Sequence, residues 1–236
     1  MKVIVIPDVH LKPWMFERAD EIMEEHGVTQ AVCLMDIPDD FNQELNHDLY
    51  NQTFDAAIRF HHDHPNTLWC WGNHDLSYVW RQPESGFSSS ALMLCRKNIN
   101  ELQEAISNES QIAYIHRIDN VLFMHGGLTK PFAKYYAPLD YDSVDDVISI
   151  INEMGFYDMW DDASPIWCRP YYEYREEMYK EKEYLQVVGH TPVKQIYKDN
   201  NVLFCDVFST YPTGEPIGTQ EFLLLDTETW EYKGVK

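Results

Sequence analysis

The stretch KVIVIPDVH, residues 2–10, decides the fold of this 236-residue chain. Four β-branched residues stand in a row and are followed at once by a polar turn. A buried strand that brings side chains to the edge of a sheet has this pattern. Asp8 and His10 come directly after the strand, and carboxylate and imidazole are both common metal ligands. The opening residues therefore predict a strand with a binding site at its carboxyl end.

The same pattern returns twice further along the chain. The apolar run 31–35 leads to Asp36, and the run 67–71 leads to the motif GNHD, with Asn73 and His74 at its centre. Ligands of an α/β sheet gather beyond the carboxyl ends of its strands. We therefore expect the polar residues after all three strands to lie close together.

Helix and strand patterns alternate over the rest of the chain. Apolar residues recur at helical spacing in several segments, and Ser143 with Asp146 resembles a capping box. The patterns predict helices at 13–26, 48–62, 100–107 and 143–154, and further strands at 111–115, 120–124 and 222–225. No internal repeat or linker divides the sequence, so we expect one domain over residues 1–236.

The segment 130–185 is rich in aromatic and acidic residues and lies between two ligand motifs. We predict that it forms a lid or an insertion in the domain. Its aromatic rings could stack on a nucleobase, although such residues more often serve packing. The aromatic residues in question are Tyr135, Tyr136, Tyr157, Trp160, Tyr171, Tyr172 and Tyr174.

The composition restricts the partners of the protein. A formal net charge of −21 and the lack of a Lys/Arg-rich stretch disfavour long nucleic acids. Small phosphorylated substrates stay open, because bound divalent cations would reverse the local potential. Five cysteines without a CxxC pair, and no apolar run of membrane-spanning length, predict reduced thiols in a cytoplasmic protein without membrane contact. The oligomeric state stays open.

Five short motifs occur in order along the chain, each after an apolar run. They are DVH at 8–10, MDIPDD at 35–40, GNHD at 72–75, HGGL at 125–128 and GHTP at 189–192. Each motif alone is weak evidence, whereas the ordered set is specific. With this set the chain resembles the calcineurin-like metallophosphoesterases. The last two motifs resemble in particular the serine/threonine phosphoprotein phosphatase branch with its bacterial and phage relatives.

The resemblance implies a four-layer α/β/β/α sandwich, in which helices flank two mixed sheets and a dinuclear metal site lies at the strand ends. It implies that one divalent ion is held by Asp8, His10 and Asp36, and the other by Asp36, Asn73, His125 and His190. Carboxylate, amide and imidazole ligands together suit manganese, with iron or zinc as alternatives, better than calcium or magnesium.

The resemblance also implies the reaction, which is hydrolysis of a phosphate ester by a water that bridges the two ions. His74 would protonate or stabilise the leaving oxygen, and Asp39 would orient its imidazole. Arg169 resembles the phosphate-binding arginine of the branch, although a surface salt bridge is the alternative interpretation for this residue. The implied substrate is a phosphoprotein or a small phosphomonoester.

Two positions depart from the family pattern. The second motif of the family usually reads GDxVDRG, whereas here Met35 replaces the first glycine and Asp40 stands where a phosphate-gripping arginine is expected. A carboxylate in that place would repel a dianionic substrate. A phosphodiester or a dinucleoside polyphosphate is therefore an alternative substrate. A third hypothesis is a non-catalytic, protein-binding scaffold of the same fold.

Overall fold

Strands and helices alternate along the computed structural model, which describes residues 1–171 and 177–236. Tyr172 and Tyr174, named above, lie outside the described residues. In chain order the strands are β1 (Lys2–Ile6), β2 (Gln30–Cys33), β3 (Leu68–Cys70), β4 (Ile112–Ala113), β5 (Ile115–Ile118), β6 (Val121–Met124), β7 (Leu185–Val188), β8 (Tyr197–Asp199), β9 (Val202–Phe204), β10 (Phe222–Asp226) and β11 (Tyr232–Val235). The helices are α1 (Trp14–His26), α2 (His47–Asp63), α3 (Asn73–Trp80), α4 (Leu92–Ala105), α5 (Lys130–Tyr136), α6 (Val144–Asn152) and α7 (Phe156–Met159).

The strands form two mixed sheets. The first sheet has the order β11-β10-β1-β2-β3-β4, in which β1 to β4 run parallel and the two C-terminal strands run antiparallel to their neighbours. The second sheet has the order β5-β6-β7-β9-β8, in which β6, β7 and β9 are parallel. In the second sheet the antiparallel strands β5 and β8 lie at the two edges, whereas in the first sheet β10 and β11 lie on one side and the parallel strand β4 forms the other edge.

Alternate side chains of β1 face two different layers. Val3 and Val5 belong to an apolar cluster between the two sheets, together with Phe123 of β6. Ile4 and Ile6 point the other way and join the cluster that contains the buried faces of the helices. A strand that is apolar on both faces reads as a continuous β-branched run, because both faces are covered. The four-layer sandwich expected from the resemblance is confirmed.

Some predicted elements differ from the observed ones. The helix expected at 100–107 already begins at Leu92. The single strand expected at 111–115 is divided into β4 in the first sheet and β5 in the second sheet. The chain crosses between the sheets at Tyr114, whose backbone N–H donates to Oδ1 of Asn152 at 3.1 Å instead of to a strand. The sequence pattern could not show this crossing, because both short strands are apolar.

The described part of the segment 130–185 supplies helices α5, α6 and α7. Helix α6 contacts β5, and the amide of Asn152 at its end bonds to the backbone of Ile115 in both directions. Phe132, Val147 and Ile151 are buried in the main core. These helices therefore form part of the outer layer over the second sheet. Movement of the segment as a lid stays a prediction, as does the single domain over residues 1–236.

None of the helices in the described part of the chain has the length and apolar character that a bilayer-spanning helix needs.

Candidate metal centre

Polar residues at the ends of five strands meet at one edge of the sandwich. Strands β1, β2 and β3 are parallel neighbours in the first sheet, and β6 and β7 are parallel neighbours in the second. Their carboxyl ends therefore open on the same edge. In the first sheet, β1 leads to Asp8 and His10, β2 to Asp36, and β3 to Asn73 and His74. In the second sheet, β6 leads to His125 and β7 to His190. The structure thus brings together all six residues that were expected to bind metal.

Asp36 lies at the centre of this arrangement. It belongs to two groups of possible ligand atoms that lie within 4.8 Å of one another, one with His10 and His74 and the other with His125 and His190. Its Oδ2 is 3.1 Å from Nε2 of His125 and 4.0 Å from Nε2 of His10. One carboxylate therefore faces imidazoles from both groups, which is the arrangement that a ligand shared by two cations requires.

Backbone carbonyls fix the orientation of two of the imidazoles. Nδ1 of His10 lies 2.9 Å from the carbonyl oxygen of Asp39, and Nδ1 of His125 lies 2.9 Å from that of Leu34. Each Nδ1 therefore carries the proton that it donates to a carbonyl. The other nitrogen, Nε2, is left to bind a cation, as is usual for metal-binding histidines.

Two buried atoms in the centre have no hydrogen-bond partner among the described residues. They are Oδ2 of Asp8 and Nε2 of His190. The other oxygen of Asp8 accepts a hydrogen bond of 2.7 Å from the backbone N–H of His190, so the two residues are held together. An unsatisfied buried carboxylate oxygen or ring nitrogen is costly and rare. These atoms therefore fit ligands of a divalent cation.

Asn73 is held by a residue that was not expected in the site. Its Oδ1 lies 3.0 Å from Nε2 of His125. Its Nδ2 donates to both carboxylate oxygens of Glu84, each at 2.8 Å. The amide therefore turns its oxygen toward His125 and its nitrogen toward Glu84, as a ligand to a cation in the centre requires.

The backbone bends sharply where it delivers these ligands. His10, Asp36 and His190 have φ angles of 43°, 46° and 59°, in the left-handed region that residues other than glycine rarely adopt. Such conformations carry strain and cluster at functional sites. They allow short turns after the strands to aim side chains back over the sheet edge.

Two glycines make room for the carboxylates. A Cβ on Gly72 would lie 2.0 Å from Oδ1 of Asp36, and a Cβ on Gly189 would lie 2.2 Å from Oδ2 of Asp8. Any side chain at either position would displace a carboxylate that faces the centre. The glycines in GNHD and GHTP are therefore required by close approach of the backbone.

The charges of the centre are strongly coupled. Burial alone would raise the pKa of Asp36, but the imidazoles of His125, His74 and His10 hold it well below its usual range. Burial opposes protonation of His125, whereas Asp36 and Asp8 attract the proton and raise its pKa to about 9. Burial and the neighbouring His125 lower the pKa of His190. The carboxylates thus attract positive charge, which divalent cations would supply.

His74 and Asp39 lie beside the centre as a hydrogen-bonded pair. Nδ1 of His74 is 3.0 Å from Oδ2 of the buried Asp39. The other oxygen of Asp39 accepts hydrogen bonds from the hydroxyl groups of Tyr50, at 2.8 Å, and Tyr78. Burial opposes the charge on His74, but Asp36 and Asp39 raise the pKa of the imidazole to about 10. A proton is therefore available on this ring at neutral pH.

Arg169 also lies at the centre. Its guanidinium donates to the carbonyl oxygen of His190 and lies 3.5 Å from the hydroxyl of Thr191. Among the described residues Arg169 forms no ion pair, so the surface salt bridge considered above is not observed there. The half-buried guanidinium borders the same cavity as His10 and Asp36. It therefore brings a positive charge to the border of this cavity.

Asp40 is tied into the wall of the cavity by a cation and a hydroxyl. Nζ of Lys12 donates to Oδ2 of Asp40 at 3.0 Å and to the carbonyl of His10 at 2.9 Å, and Thr210 donates to Oδ1 at 2.7 Å. Burial would raise the pKa of Asp40, but Lys12 and Thr210 hold it below its usual range. Asp40 is therefore an ionised carboxylate whose charge is balanced, and not an isolated negative charge.

A cavity of about 340 Å³ connects the centre with solvent. Part of its border is formed by Asp40, Phe41 and residues 209–212, and we call these residues, with the adjoining Asn42, the rim. Two hydrogen bonds join the two halves of the rim, from Thr210 to Asp40 and from Asn42 to the carbonyl of Pro212. Phe41 and Tyr211 stand on the rim with 49% and 46% of their surfaces exposed. The cavity thus combines a polar floor with an aromatic rim.

Three acidic residues of the centre were missed in the sequence. Asp75, at the end of GNHD, accepts hydrogen bonds from the backbone N–H groups of Asp36 and Ile37 at 2.8 and 3.1 Å. Asp206 is buried and borders the cavity. Glu84 holds Asn73, and burial raises its pKa to about 7. Asp75 could have been identified from the sequence, because it is the last residue of the GNHD motif. Asp206 and Glu84 lie outside the five motifs, so nothing in the sequence marks them.

A sandwich of two mixed sheets with clustered carboxylates, an amide and imidazoles at one edge defines a class of metal-dependent phosphoesterases. The sequence profile of the calcineurin-like phosphoesterase family matches residues 1–210. The chain belongs to this family and is a metallophosphoesterase. The expected resemblance is confirmed at the level of the family, and phosphate esters are the class of substrate.

Solved structures with the same fold include a cold-active protein-tyrosine phosphatase of a psychrophilic Shewanella species. It is 17% identical, with a TM-score of 0.60, and the match covers 100% of this chain and 80% of that one. A second structure of a cold-active protein tyrosine phosphatase, at 1.1 Å, is 18% identical with a TM-score of 0.55, covering 100% and 78%. At these identities the likeness shows the fold alone. Among curated proteins, none matches the chain significantly.

Proposed function

We propose that this protein hydrolyses phosphate esters with two divalent metal ions, and that manganese is the natural metal. The metal cluster consists of Asp8, His10, Asp36, Asn73, His125 and His190, with Asp36 shared between the ions. The observation that carries the proposal is the pair of buried atoms that have no hydrogen-bond partner in the described part of the chain, Oδ2 of Asp8 and Nε2 of His190, beside the carboxylate of Asp36. Mixed oxygen and nitrogen ligands favour manganese, iron or zinc over calcium.

The metal ions would lower the pKa of water and neutralise charge on the phosphoryl group. The residues around them serve the remaining needs of the reaction. Asp39 accepts from Nδ1 of His74, which leaves Nε2 of that ring to give a proton to the leaving oxygen. Arg169 has guanidinium donors beyond those it directs at His190, and these bind phosphoryl oxygens. Asp36 belongs to both groups of ligand atoms and would therefore fix the position of one group relative to the other.

The proposed substrate is a phosphoprotein or a small phosphomonoester, as in the serine/threonine phosphoprotein phosphatase branch. A phosphodiester or a dinucleoside polyphosphate is the second candidate, and a specific observation favours it. Asp40 stands in the place of a phosphate-gripping arginine and accepts a hydrogen bond from Lys12. A dianionic monoester therefore lacks one guanidinium, whereas a monoanionic diester needs less positive charge. The aromatic rim could also contact a large leaving group.

The first test is hydrolysis of para-nitrophenyl phosphate and bis(para-nitrophenyl) phosphate across a series of divalent metals. We expect turnover that depends on manganese, and we expect Asp36→Asn to abolish it because the shared ligand loses its charge. The circular dichroism spectrum of the variant should match that of the wild type. Full activity of Asp36→Asn, or activity that survives chelation, would contradict the proposal.

The two esters also separate the candidates. A higher kcat/KM for the monoester favours the phosphomonoesterase, and a higher kcat/KM for the diester favours the second candidate. A protein that neither binds manganese nor cleaves either ester would point to the protein-binding scaffold, since fold alone does not fix function.

A further inference from the structure

We propose that Glu84 is a positioning residue that fixes the amide of Asn73 for metal binding. This inference rests on the proposed function, because it assigns a role in the same metal cluster. Glu84 lies in the loop after α3, and its side chain is 9% exposed. Nothing in its local sequence, Gln-Pro-Glu-Ser-Gly, marks it as part of a site.

The contact between the two side chains has a fixed polarity. Both carboxylate oxygens of Glu84 accept from Nδ2 of Asn73 at 2.8 Å. A carboxylate accepts hydrogen bonds and does not donate them, whereas an amide carries its donors on nitrogen and its acceptor on oxygen. Opposite ionised Glu84, a flipped amide would place Oδ1 of Asn73 against two negative oxygens. Glu84 therefore requires that Oδ1 points away from it, toward the metal cluster.

Other contacts of Asn73 do not supply this constraint. The terminal torsion of an asparagine has a broad, roughly two-fold preference, so the backbone alone does not choose the orientation of the amide. Oδ1 also lies 3.0 Å from Nε2 of His125. Nδ1 of His125 faces the carbonyl of Leu34, so Nε2 is the nitrogen left for a cation. Once Nε2 binds a cation, it no longer donates to Asn73, and Glu84 remains to hold the amide.

Removal of Glu84 should leave its loop in place. The backbone N–H of Ser88 donates to the hydroxyl of Tyr78 at 2.8 Å, and the Ser88 hydroxyl bonds to the carbonyl of Glu44. These bonds hold the loop independently of Glu84. Oε1 of Glu84 also forms an ion pair with His74, whose Nδ1 lies 3.6 Å away. The two hydrogen bonds of the carboxylate, however, both go to Asn73.

The test measures manganese binding to the full chain by calorimetry after treatment with a chelator. We expect Glu84→Ala to weaken the binding of one of the two ions by roughly 10- to 100-fold, the usual effect of losing a residue that orients a metal ligand. Glu84→Gln should weaken it less, because its carbonyl oxygen still accepts from Nδ2. Glu101→Ala removes an exposed acid of α4 and is the control for net charge.

A double-mutant cycle separates positioning from a general structural effect. If Glu84 acts through Asn73, then Glu84→Ala has no further effect on manganese affinity in an Asn73→Ala background. Wild-type affinity in Glu84→Ala and Glu84→Gln, or the same loss in both backgrounds, would overturn the inference and leave the proposed function standing. Should the wild type itself bind no manganese, the proposed function fails as well.

Discussion

The metal cluster and the rim border the same cavity, but they keep the family pattern to different degrees. Every position of the metal cluster carries a residue type that the family resemblance implies. In the rim, Asp40 stands in place of arginine and bonds to Lys12 and Thr210. Ligands of the cluster follow directly after strands, whereas the rim consists of two loops. Under the proposed function, the metal cluster would perform the chemistry and the rim would contribute to recognition, so that recognition could change while the chemistry is kept.

The two regions also differ in how their charges are balanced. In the metal cluster, Oδ2 of Asp8 and Nε2 of His190 have no partner among the described residues. In the rim, the charge of Asp40 is balanced by Lys12 at 3.0 Å. The two atoms of the metal cluster therefore need a cation as a partner, whereas the carboxylate of Asp40 in the rim already has one.

The largest effect is expected at His74, which stands between the two regions. Replacement of His74 by Asn removes the proton donor and should lower kcat by roughly 10²- to 10⁴-fold for an alkyl phosphate. The loss should be smaller for a para-nitrophenyl ester, because its leaving group needs no proton. Steady-state kinetics on both esters give the comparison. Equal losses on both esters would mean that His74 acts by binding, with no role in protonation.

Asp39→Asn is the companion variant for that measurement. It keeps the size of the side chain at a position whose carboxylate accepts from His74, Tyr50 and Tyr78. It should show the same dependence on the leaving group as His74→Asn, with a smaller loss, because the imidazole is still present. A loss confined to KM would contradict the orienting role.

The second effect concerns stability. Manganese at about 100 times its dissociation constant should raise the free energy of unfolding by roughly 2.7 kcal/mol for each ion bound, provided that the unfolded chain does not bind it. The physical reason is that the metal satisfies the buried atoms of Asp8 and His190. Urea unfolding with and without manganese measures the increment. It should vanish in Asp36→Asn and persist in Asp40→Asn. An equal increment in both variants would place the metal outside the metal cluster.

The sequence allowed the metal cluster to be predicted because each ligand follows a strand. The end of a buried strand is visible as the point where a β-branched run stops, and parallel strands place their ends on one edge. Asp8, Asp36 and Asn73 could be located in this way. Helix α3 was missed because it begins within GNHD, and its first turn is held by Asp75 and not by an apolar pattern.

The contacts that complete the site could not be predicted. Glu84 reaches Asn73 across a loop, and Lys12 reaches Asp40 over 28 residues of sequence. Neither pair is set by periodicity, since both depend on where the turns after the strands lead. The sequence showed that an arginine was missing at Asp40, but it could not show that a lysine balances the carboxylate that replaces it.

The smallest effect should appear when the negative charge of Asp40 in the rim, which balances Lys12, is removed. Asp40→Asn keeps one acceptor oxygen for Lys12 and places an amide NH2 beside Thr210, whose hydroxyl can accept from it, but the variant removes the negative charge, so the ammonium of Lys12 acts on the cavity unopposed. The kcat/KM for a dianionic monoester should rise about fivefold relative to a monoanionic diester, since a partly exposed charge contributes about 1 kcal/mol. Kinetics on both para-nitrophenyl esters at low ionic strength measure the ratio.

Asp55→Asn, on an exposed position of α2, makes the same change in net charge and is the matched control. It should leave the ratio of the two kcat/KM values unchanged. If Asp40→Asn also leaves the ratio unchanged, then Asp40 and Lys12 hold the rim together without acting on the substrate. Of the charged residues proposed to contact the phosphate, Arg169 would then be the one that remains. A shift seen only in Asp40→Asn, and weakened by salt, would place substrate selection in the rim, because salt screens the charge at Lys12.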